Sequence, residues 1–438
     1  MMRVSILKIF KFVQQYKIFS IVMWAVLSAT VQAMTLENAI ESAVKLDPTL
    51  RASKFNLMAT EENIAVARSR FLPQIALQGS SNQLTQTTTQ DLNTGGSVSR
   101  SFSGPSVNHQ FVIRQALLRP KDLSSLRYSE LQLQYVQLKF KYDLSDLKNR
   151  VISAWIDLLG AQIIEEAFSK PLPYIKLAAK QERSKLEQGD STKDLVMEAD
   201  AQYLSAKATY VQAVETLKAK KSVFEKLTGI PAVNVRNNKF DLVPKPLILE
   251  SEKSATWERV RETSLELQMS QLQEMMQIEK IKIAEADHKP TLDLLATVNM
   301  AKNDATSTQG YQYKNKQIGI QYLVPLYSGG SVSSAVRQAT LASESSKFET
   351  EALNLKVQIE FENNWGQLIS SGYRQNAMYV SLLSVDEQLK ATNRQVELGV
   401  KTLSELATLE LSYARRLNDL VNVAQDHLRI QFKLKLKI

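Results

Sequence analysis

The chain has 438 residues, with 14 Gly, 11 Pro, no Cys and a formal net charge of +9. So few Gly and Pro residues favour long helices over many small elements, and the missing thiols exclude disulfides, thiolate sites and lipid attachment to Cys. A charge of +9 on a chain of this length is a weak indication of nucleic-acid binding, and we predict none.

Residues 1–33 have the features of a secretory signal peptide, which we expect to be cleaved before Met34. Basic residues without any acidic one precede a mostly apolar run at 18–29, and residues 31–33 (VQA) have the small-x-small form of a signal-peptidase site. The alternative is a membrane anchor, but the apolar run spans only ~18 Å of helix against a hydrocarbon core of ~30 Å. We therefore expect an exported mature chain.

Short helices and then long ones are expected in the first half, residues 34–229. Thr35 is a candidate N-cap, and Asp47-Pro48 separates the first helix from the second. After Pro120 the chain carries a seven-residue apolar repeat that is typical of a coiled coil. Its first row is Leu126, Leu133, Phe140, Leu147, Ala154 and Ala161, and a second row is Leu144, Val151 and Leu158.

Between these helices, apolar and polar residues alternate in a way that predicts two amphipathic strands. Ile75 and Leu77 alternate with polar neighbours on the first strand. The polar tract at 82–103 is expected to be a loop, and the second strand begins at Ser106. The polar face of that strand carries Asn108, Gln110 and Arg114. A hairpin on an ordinary soluble core is the alternative, and it would be favoured for a single hairpin.

The second half, residues 256–438, repeats this order after a Pro- and Asn-rich segment at 230–255 that we interpret as a linker. The apolar pattern from Leu50 to Pro73 recurs from Leu267 to Pro290, which indicates an internal duplication of about 200 residues. Two more strands follow, separated by an expected polar loop at 302–309. The polar face of the last one carries Gln317 and Gln321, and Pro325 ends it.

Two further helices complete the second half. The first, from Val332 to about Gly399, repeats the heptad rows more weakly; these rows are Leu341, Phe348 and Leu355, and Ala352 and Ile359. The last helix is expected to end near Arg429, with a frayed tail at 433–438.

The two pairs of amphipathic strands predict an assembly. Four strands per chain cannot close around a lumen, and open strand edges invite partnership, so several chains must share one barrel. A polar inner face and an apolar outer face suit a water-filled barrel in an outer membrane. We therefore predict an α+β fold, in which a shared transmembrane β-barrel is continued by a long helical coiled-coil tunnel.

Several segments resemble the TolC family of outer-membrane channel proteins. They are LENAIESAVKLDPTLRASKF, the FLPQIALQ junction, VPLYSGG and LGVKTLSELATLE, and the similarity covers essentially the whole mature chain. The resemblance implies a homotrimer in the outer membrane of a Gram-negative bacterium, with a twelve-stranded barrel and a tunnel of twelve helices in the periplasm. It also implies docking to a periplasmic adaptor and an inner-membrane transporter, for drug efflux or type I protein secretion.

The resemblance further implies a periplasmic gate at two helix-helix turns, where acidic side chains ring the pore and a basic residue ties the closed state. It places Lys401 as the basic residue and Glu405 in the acidic ring, while Thr408 stands where a second acidic residue is common. In the first half, Asp194 follows Gly189 by five residues rather than six. Together with Gly399 these form the expected gate, and without the resemblance solvated helix ends would explain the same charges.

Other chemistry finds no support in the sequence. His109, His288 and His427 lie far apart without ligand spacing, so we expect no metal site, and no phosphate loop or nucleophile elbow indicates a cofactor or an enzyme. Trp155, Trp257 and Trp365 are expected to pack on helices. Two hypotheses follow: an export duct that passively conducts drugs, small molecules or unfolded protein, or a periplasmic coiled-coil scaffold or adaptor without a channel.

Overall fold

A computed structural model describes residues 35–232, 242–244, 250–303 and 311–437. The expected signal peptide, residues 1–33, lies outside the described residues. The same holds for 233–241 and 245–249 of the expected linker and for most of the expected loop at 302–309.

Long helices dominate the described chain. The helices are α1 (Leu36–Leu46), α2 (Pro48–Ser69), α3 (Pro120–Ser169), α4 (Pro171–Gln188), α5 (Lys193–Thr228), α6 (Lys253–Thr263), α7 (Leu265–Glu285), α8 (Ser331–Glu397) and α9 (Leu403–Lys437). The strands are β1 (Gln74–Asp91), β2 (Ser97–Leu118), β3 (Thr291–Asn303) and β4 (Tyr311–Leu323). No helix in the described ranges is long and apolar enough to cross a membrane.

The helix boundaries follow the signals in the sequence. The Thr35 hydroxyl accepts a hydrogen bond from the Asn38 N–H at 3.4 Å, which caps α1. Asp47 ends that helix and Pro48 begins α2, while Pro171 begins α4, because proline needs no amide partner in a first helical turn. The predicted cap at Thr35 and the predicted break at Asp47-Pro48 are confirmed.

The chain divides into two compact units. The helical unit comprises the described residues of Met1–Asp47, Asp146–Leu249 and Asn364–Leu436, and the sheet unit comprises those of Pro48–Ser145, Glu250–Asn363 and Lys437–Ile438. Two of the boundaries fall inside the long helices α3 and α8. Each unit thus takes segments from both halves of the sequence.

The helical unit is built on the apolar rows predicted for α3. Leu147, Val151 and Leu158 are fully buried, and Phe224 of α5 is buried with them. The Trp155 ring meets the Phe224 ring edge-on, with centroids 5.8 Å apart, so its predicted packing role is confirmed.

In the sheet unit, the buried residues of α8 are not those of the heptad rows predicted for this helix. Leu341, Phe348 and Leu355 are exposed in the single chain, whereas Val357 and Phe361 are buried. The ring of Phe361 lies 5.3 Å from that of Trp257 of α6. The heptad row on α8 therefore points away from this chain's own core.

The described residues form one four-stranded antiparallel sheet in the order β1-β2-β3-β4. The predicted loop at 82–103 is wrong, because β1 and β2 stay paired as far as Asp91 and Ser97. Hydroxyl pairs stabilise this extension across the two strands. They are Thr85 with Ser103 at 2.9 Å, Thr87 with Ser101 at 3.1 Å and Thr89 with Ser99 at 2.7 Å.

The end of the chain also differs from the prediction. Helix α9 continues to Lys437, so the expected frayed tail from residue 433 is wrong. Leu434 is buried, and Arg429 pairs with Asp157 of α3, so the last turns are held by contacts across the helical unit that a local sequence pattern does not reveal.

Candidate functional site: two helix turns and an amphipathic sheet

Strand register places the predicted polar residues on one face of the sheet. Residues paired across neighbouring strands share a face, and residues two apart along a strand do as well. On this criterion the polar face carries Asn108, Gln110, Arg114, Gln317 and Gln321, together with Asp293 and Asn299 of β3.

The opposite face is apolar across all strands. Its residues are Ile75, Leu77, Phe111, Ile113, Leu292, Leu294, Ala296, Val298, Ile318, Ile320 and Tyr322. Several are strongly exposed, including Leu77 at 74% and Ile318 at 74%. Such a surface is unusual in contact with water and needs an apolar environment.

A charge cluster that the sequence did not reveal lies on the polar face near the helices. Asp293 is only 3% exposed and accepts hydrogen bonds from the guanidinium groups of Arg114 and Arg119, at distances from 2.5 to 2.9 Å. Arg119 lies just after the last residue of β2, so the cluster ties β3 to the start of α3. The one feature of the sequence that could have indicated this cluster is Asp293 itself, an aspartate within an apolar strand.

The two expected gate glycines end α4 and α8 with the same geometry. Gly189 has φ of 84° and Gly399 has φ of 71°, which favours glycine. The Gly189 N–H donates to the Leu186 carbonyl at 3.1 Å, and the Gly399 N–H donates to the Val396 carbonyl at 3.0 Å. The next amide in each turn donates to a carbonyl five residues back, which completes a Schellman motif twice.

In the second turn, Glu405 caps a helix. Its carboxylate accepts hydrogen bonds from the Thr402 N–H at 2.8 Å and the Thr402 hydroxyl at 2.9 Å, while that hydroxyl accepts from the Glu405 N–H at 3.2 Å. This is a capping box at the start of α9. These Thr402 hydrogen bonds, with a smaller contribution from Lys401, lower the pKa of the exposed Glu405 carboxyl, and the carboxylate form is favoured.

Lys401 contacts the end of α8. Its ammonium lies 3.4 Å from the hydroxyl of Thr392, which ties the turn to the preceding helix. Ser191 makes the matching contact in the first turn, where its hydroxyl donates to the Glu182 carboxylate at 3.1 Å. Both contacts join residues nine positions apart, so each of the duplicated turns is hydrogen-bonded to the helix before it, but through different side chains.

The first turn lacks a counterpart of Glu405. Counted from the turn glycine, Leu195 occupies that position and Asp194 matches Ser404. Arg183 and Asp200 instead join α4 to α5, with two hydrogen bonds at 3.2 and 2.7 Å. The structure therefore puts Asp194 in the first turn of α5, one residue short of the Glu405 position.

The position matching Asp200 in the second half is Glu410, which sequence reasoning missed. Asn393 stands where the first half has Arg183. Burial raises the pKa of the Glu410 carboxyl, and Lys170 partly opposes this. The second hairpin thus carries a half-buried acid in place of an ion pair.

Metal-ligand clusters of three or more His, Asp or Glu side chains are absent from the described residues. His427 instead shares a hydrogen bond with the Ser371 hydroxyl at 2.9 Å.

Comparison with known proteins identifies the family. The family model described as "Outer membrane efflux protein" matches residues 39–229 and 257–436. The chain belongs to this outer membrane efflux protein family. The match covers both halves of the predicted duplication, and it confirms the resemblance inferred from the sequence motifs.

Individual relatives of this efflux protein are distant but span nearly its whole length. It is 23% identical over 415 residues to "Proteases secretion protein PrtF" of Dickeya chrysanthemi, covering 92% of this chain and 88% of the relative. It is 24% identical over 400 residues to "Outer membrane protein TolC" of Vibrio cholerae, covering 90% of this chain and 87% of the relative.

A solved structure shares the fold of this efflux protein. The outer membrane protein VceC of Vibrio cholerae superimposes with a TM-score of 0.71 at 14% identity, covering 92% of this chain and 94% of VceC. The predicted α+β class, with a four-stranded antiparallel sheet and long helices, is confirmed. The predicted location in the outer membrane is confirmed as well.

Proposed function

We propose that this efflux protein is the outer-membrane exit duct of a tripartite export system, through which cargo moves passively. The observation that carries the proposal is the sheet, which has one exposed apolar face and one polar face in a chain of the efflux family. Lipid would cover the apolar face and water the polar face. A periplasmic coiled-coil scaffold needs no such sheet.

The proposed assembly is a homotrimer. The outer strands β1 and β4 each have one neighbour in the described sheet, so each leaves an edge available for another chain. Three copies would supply twelve strands. The exposed apolar row of Leu341, Phe348 and Leu355 on α8 supports contact between chains, because such a row is costly to leave in water.

Within this duct, the proposed lumen residues are Asn108, Gln110, Arg114, Gln317 and Gln321, since they share the polar face. The proposed gate comprises Gly189, Asp194, Gly399, Lys401 and Glu405. In this proposal three copies of Glu405 favour cations near the pore axis, and the contact of Lys401 with α8 holds the turn closed.

The proposed partners are a periplasmic adaptor and an inner-membrane transporter that supplies the energy. We favour unfolded protein as cargo over drugs. The similarity to the protease secretion protein PrtF, along 92% of this chain, supports this choice.

The deciding experiment is membrane fractionation, followed by the mass of the detergent-solubilised particle and its conductance in a planar bilayer. A particle of three chains from the outer membrane that conducts ions would support the duct. A monomer or dimer released in soluble form from the periplasm would support the scaffold instead, and the proposal would fail.

A further inference from the structure

The apolar face of the sheet changes chemistry in a fixed order toward the hairpin ends. The apolar residues span from the pair Leu292 and Tyr322 to the row of Phe111 and Val298. Six residues of β3 separate these rows, which is about 20 Å along the strand. At that level the face becomes basic.

Lysines on β4 form this basic border. Lys316 pairs in register with Val298, and Lys314 pairs with Met300. Both lysines are exposed, and Lys302 lies on the same face one row further along β3. The only carboxylate on this face of the described strands is Asp91, at the distal end of β1.

Hydroxyl groups follow beyond the lysines on the same face. Thr85, Thr87 and Thr89 of β1 are paired with serines of β2. They lie on the same face as Leu77, because the register between β1 and β2 is unbroken. Gly79 lies in the row of Lys314, so Thr85 is six residues, about 20 Å, further along the strand.

We propose that this face binds a phosphorylated glycolipid of the outer leaflet. The apolar band would contact its acyl chains, Lys314 and Lys316 its phosphates, and the hydroxyl ladder its sugars. Long lysine side chains can cross the edge of an apolar band and place their ammonium groups at headgroup level. The inference rests on the proposed function, since it takes the apolar face as the lipid-facing one.

The lysines are tested by binding to the detergent-solubilised full mature chain. The probe is lipid A, a bisphosphorylated and acylated glucosamine disaccharide, compared with its monophosphorylated form, with phosphatidylglycerol and with inorganic phosphate. Removal of each lysine near an anionic surface should lower lipid A affinity roughly five-fold. We therefore expect Lys314→Gln/Lys316→Gln to weaken binding by about twenty-fold or more and to abolish the preference for two phosphates.

Matched variants separate charge from damage to the fold. Lys314→Arg/Lys316→Arg should retain binding, because the charge is kept. Exposed lysines of α4 and α5 provide the control Lys180→Gln/Lys207→Gln, which should bind like the wild type. The proposal is overturned if the Lys314→Gln/Lys316→Gln variant binds lipid A normally, if phosphatidylglycerol binds equally well, or if inorganic phosphate displaces the lipid.

The hydroxyl ladder is tested with a glycolipid that carries core sugars. Thr87→Val should weaken its binding about three-fold, the effect of losing one hydrogen-bonding group, and leave lipid A binding unchanged. Thr88→Val is the matched control, because Thr88 lies on the opposite face of the same strand. Equal effects of the two variants would refute the sugar contact.

Conductance of each variant distinguishes this inference from the proposed function. A variant set that conducts but binds glycolipid like the wild type would overturn the glycolipid site and leave the duct intact. A wild-type chain that neither conducts nor fractionates with the outer membrane would overturn the duct itself.

Discussion

Gly160 marks a close approach between α3 and α9 in the helical unit. A Cβ atom at this position would lie 1.9 Å from Nε2 of Gln425, 2.6 Å from its Cδ and 3.1 Å from Cγ1 of Val421. The Gln425 side chain is buried, and its Nε2 donates to the Ile156 carbonyl at 3.0 Å. We therefore expect Gly160→Ala to destabilise the protein, although alanine is the better helix former.

The magnitude follows from opposing effects. Alanine in place of glycine should stabilise a helix interior by about 1 kcal/mol. The displaced Gln425 amide would lose a buried hydrogen bond and leave a polar group unsatisfied, at a cost of about 1–3 kcal/mol, and overpacking adds about 1–3 kcal/mol. The net destabilisation should be about 1–5 kcal/mol, which lowers the melting temperature of a chain of this length by roughly 1–6 °C.

The assay is thermal unfolding in detergent, followed by the helical circular dichroism signal. Gly366→Ala on α8 is the matched control, because nothing lies within 4 Å of a Cβ there, and it should leave the melting temperature unchanged or raise it. In the double variant Gly160→Ala/Gln425→Ala, removal of the clash should restore part of the loss. A Gly160→Ala protein at least as stable as the Gly366→Ala protein would refute this packing argument.

Three further predictions concern the second turn. Lys401→Ala should raise the resting conductance in a planar bilayer, since it removes the tie to α8; an unchanged, nearly closed trace would count against Lys401 as a latch. Glu405→Gln should weaken block by multivalent cations and keep the cap, because Gln also fits a capping box. Thr402→Val should instead weaken the cap and retain the block. Equal block in the wild type and both variants would show that Glu405 is not part of the acidic ring. The lowered pKa of Glu405 means that the stabilisation specific to its ionised carboxylate is present above the ordinary carboxyl range and is lost as the pH falls through the lowered value. Resting conductance should therefore rise only at acidic pH, and Glu405→Gln should flatten that rise.

The sequence predicted features that depend on local periodicity. Alternation placed Gln110 and Gln317 on polar faces, and the register then put both on the same face of the sheet. Gly189 and Gly399 were placed at the helix turns by the family resemblance, and their left-handed conformation explains why glycine is favoured at both. Features of this kind need only neighbouring residues to be recognised.

Features formed by distant residues were missed. Asp293 and Arg119 are 174 positions apart in the sequence, so no local sequence pattern predicts that they pair. The hairpin extension was missed because Thr and Ser are common in loops, and only the pairing of Thr85 with Ser103 shows them to be strand residues. The roles of Lys401 and Glu405 came from a family resemblance, whereas the capping box itself follows from spacing that could have been recognised.

The duplicated hairpins differ in how firmly each is tied. The α4–α5 hairpin has the Arg183–Asp200 pair, whereas the α8–α9 hairpin has Asn393 and Glu410 at the matching positions. Burial raises the pKa of the Glu410 carboxyl, and Lys170 opposes this only in part. The hairpin without the ion pair is also the one that carries Lys401 and Glu405, and it is therefore expected to move more readily.

Installing the missing partner tests this asymmetry. Asn393→Arg should pair with Glu410 as Arg183 pairs with Asp200, lower the resting conductance and slow opening. Asn393→Gln is the neutral control, and Asn393→Arg/Glu410→Gln should return conductance to the wild-type level, because the added cation then has no carboxylate partner. If Asn393→Arg leaves conductance unchanged while the fold is intact, an ion pair at this position does not restrain the hairpin, and the difference between the halves has no bearing on opening.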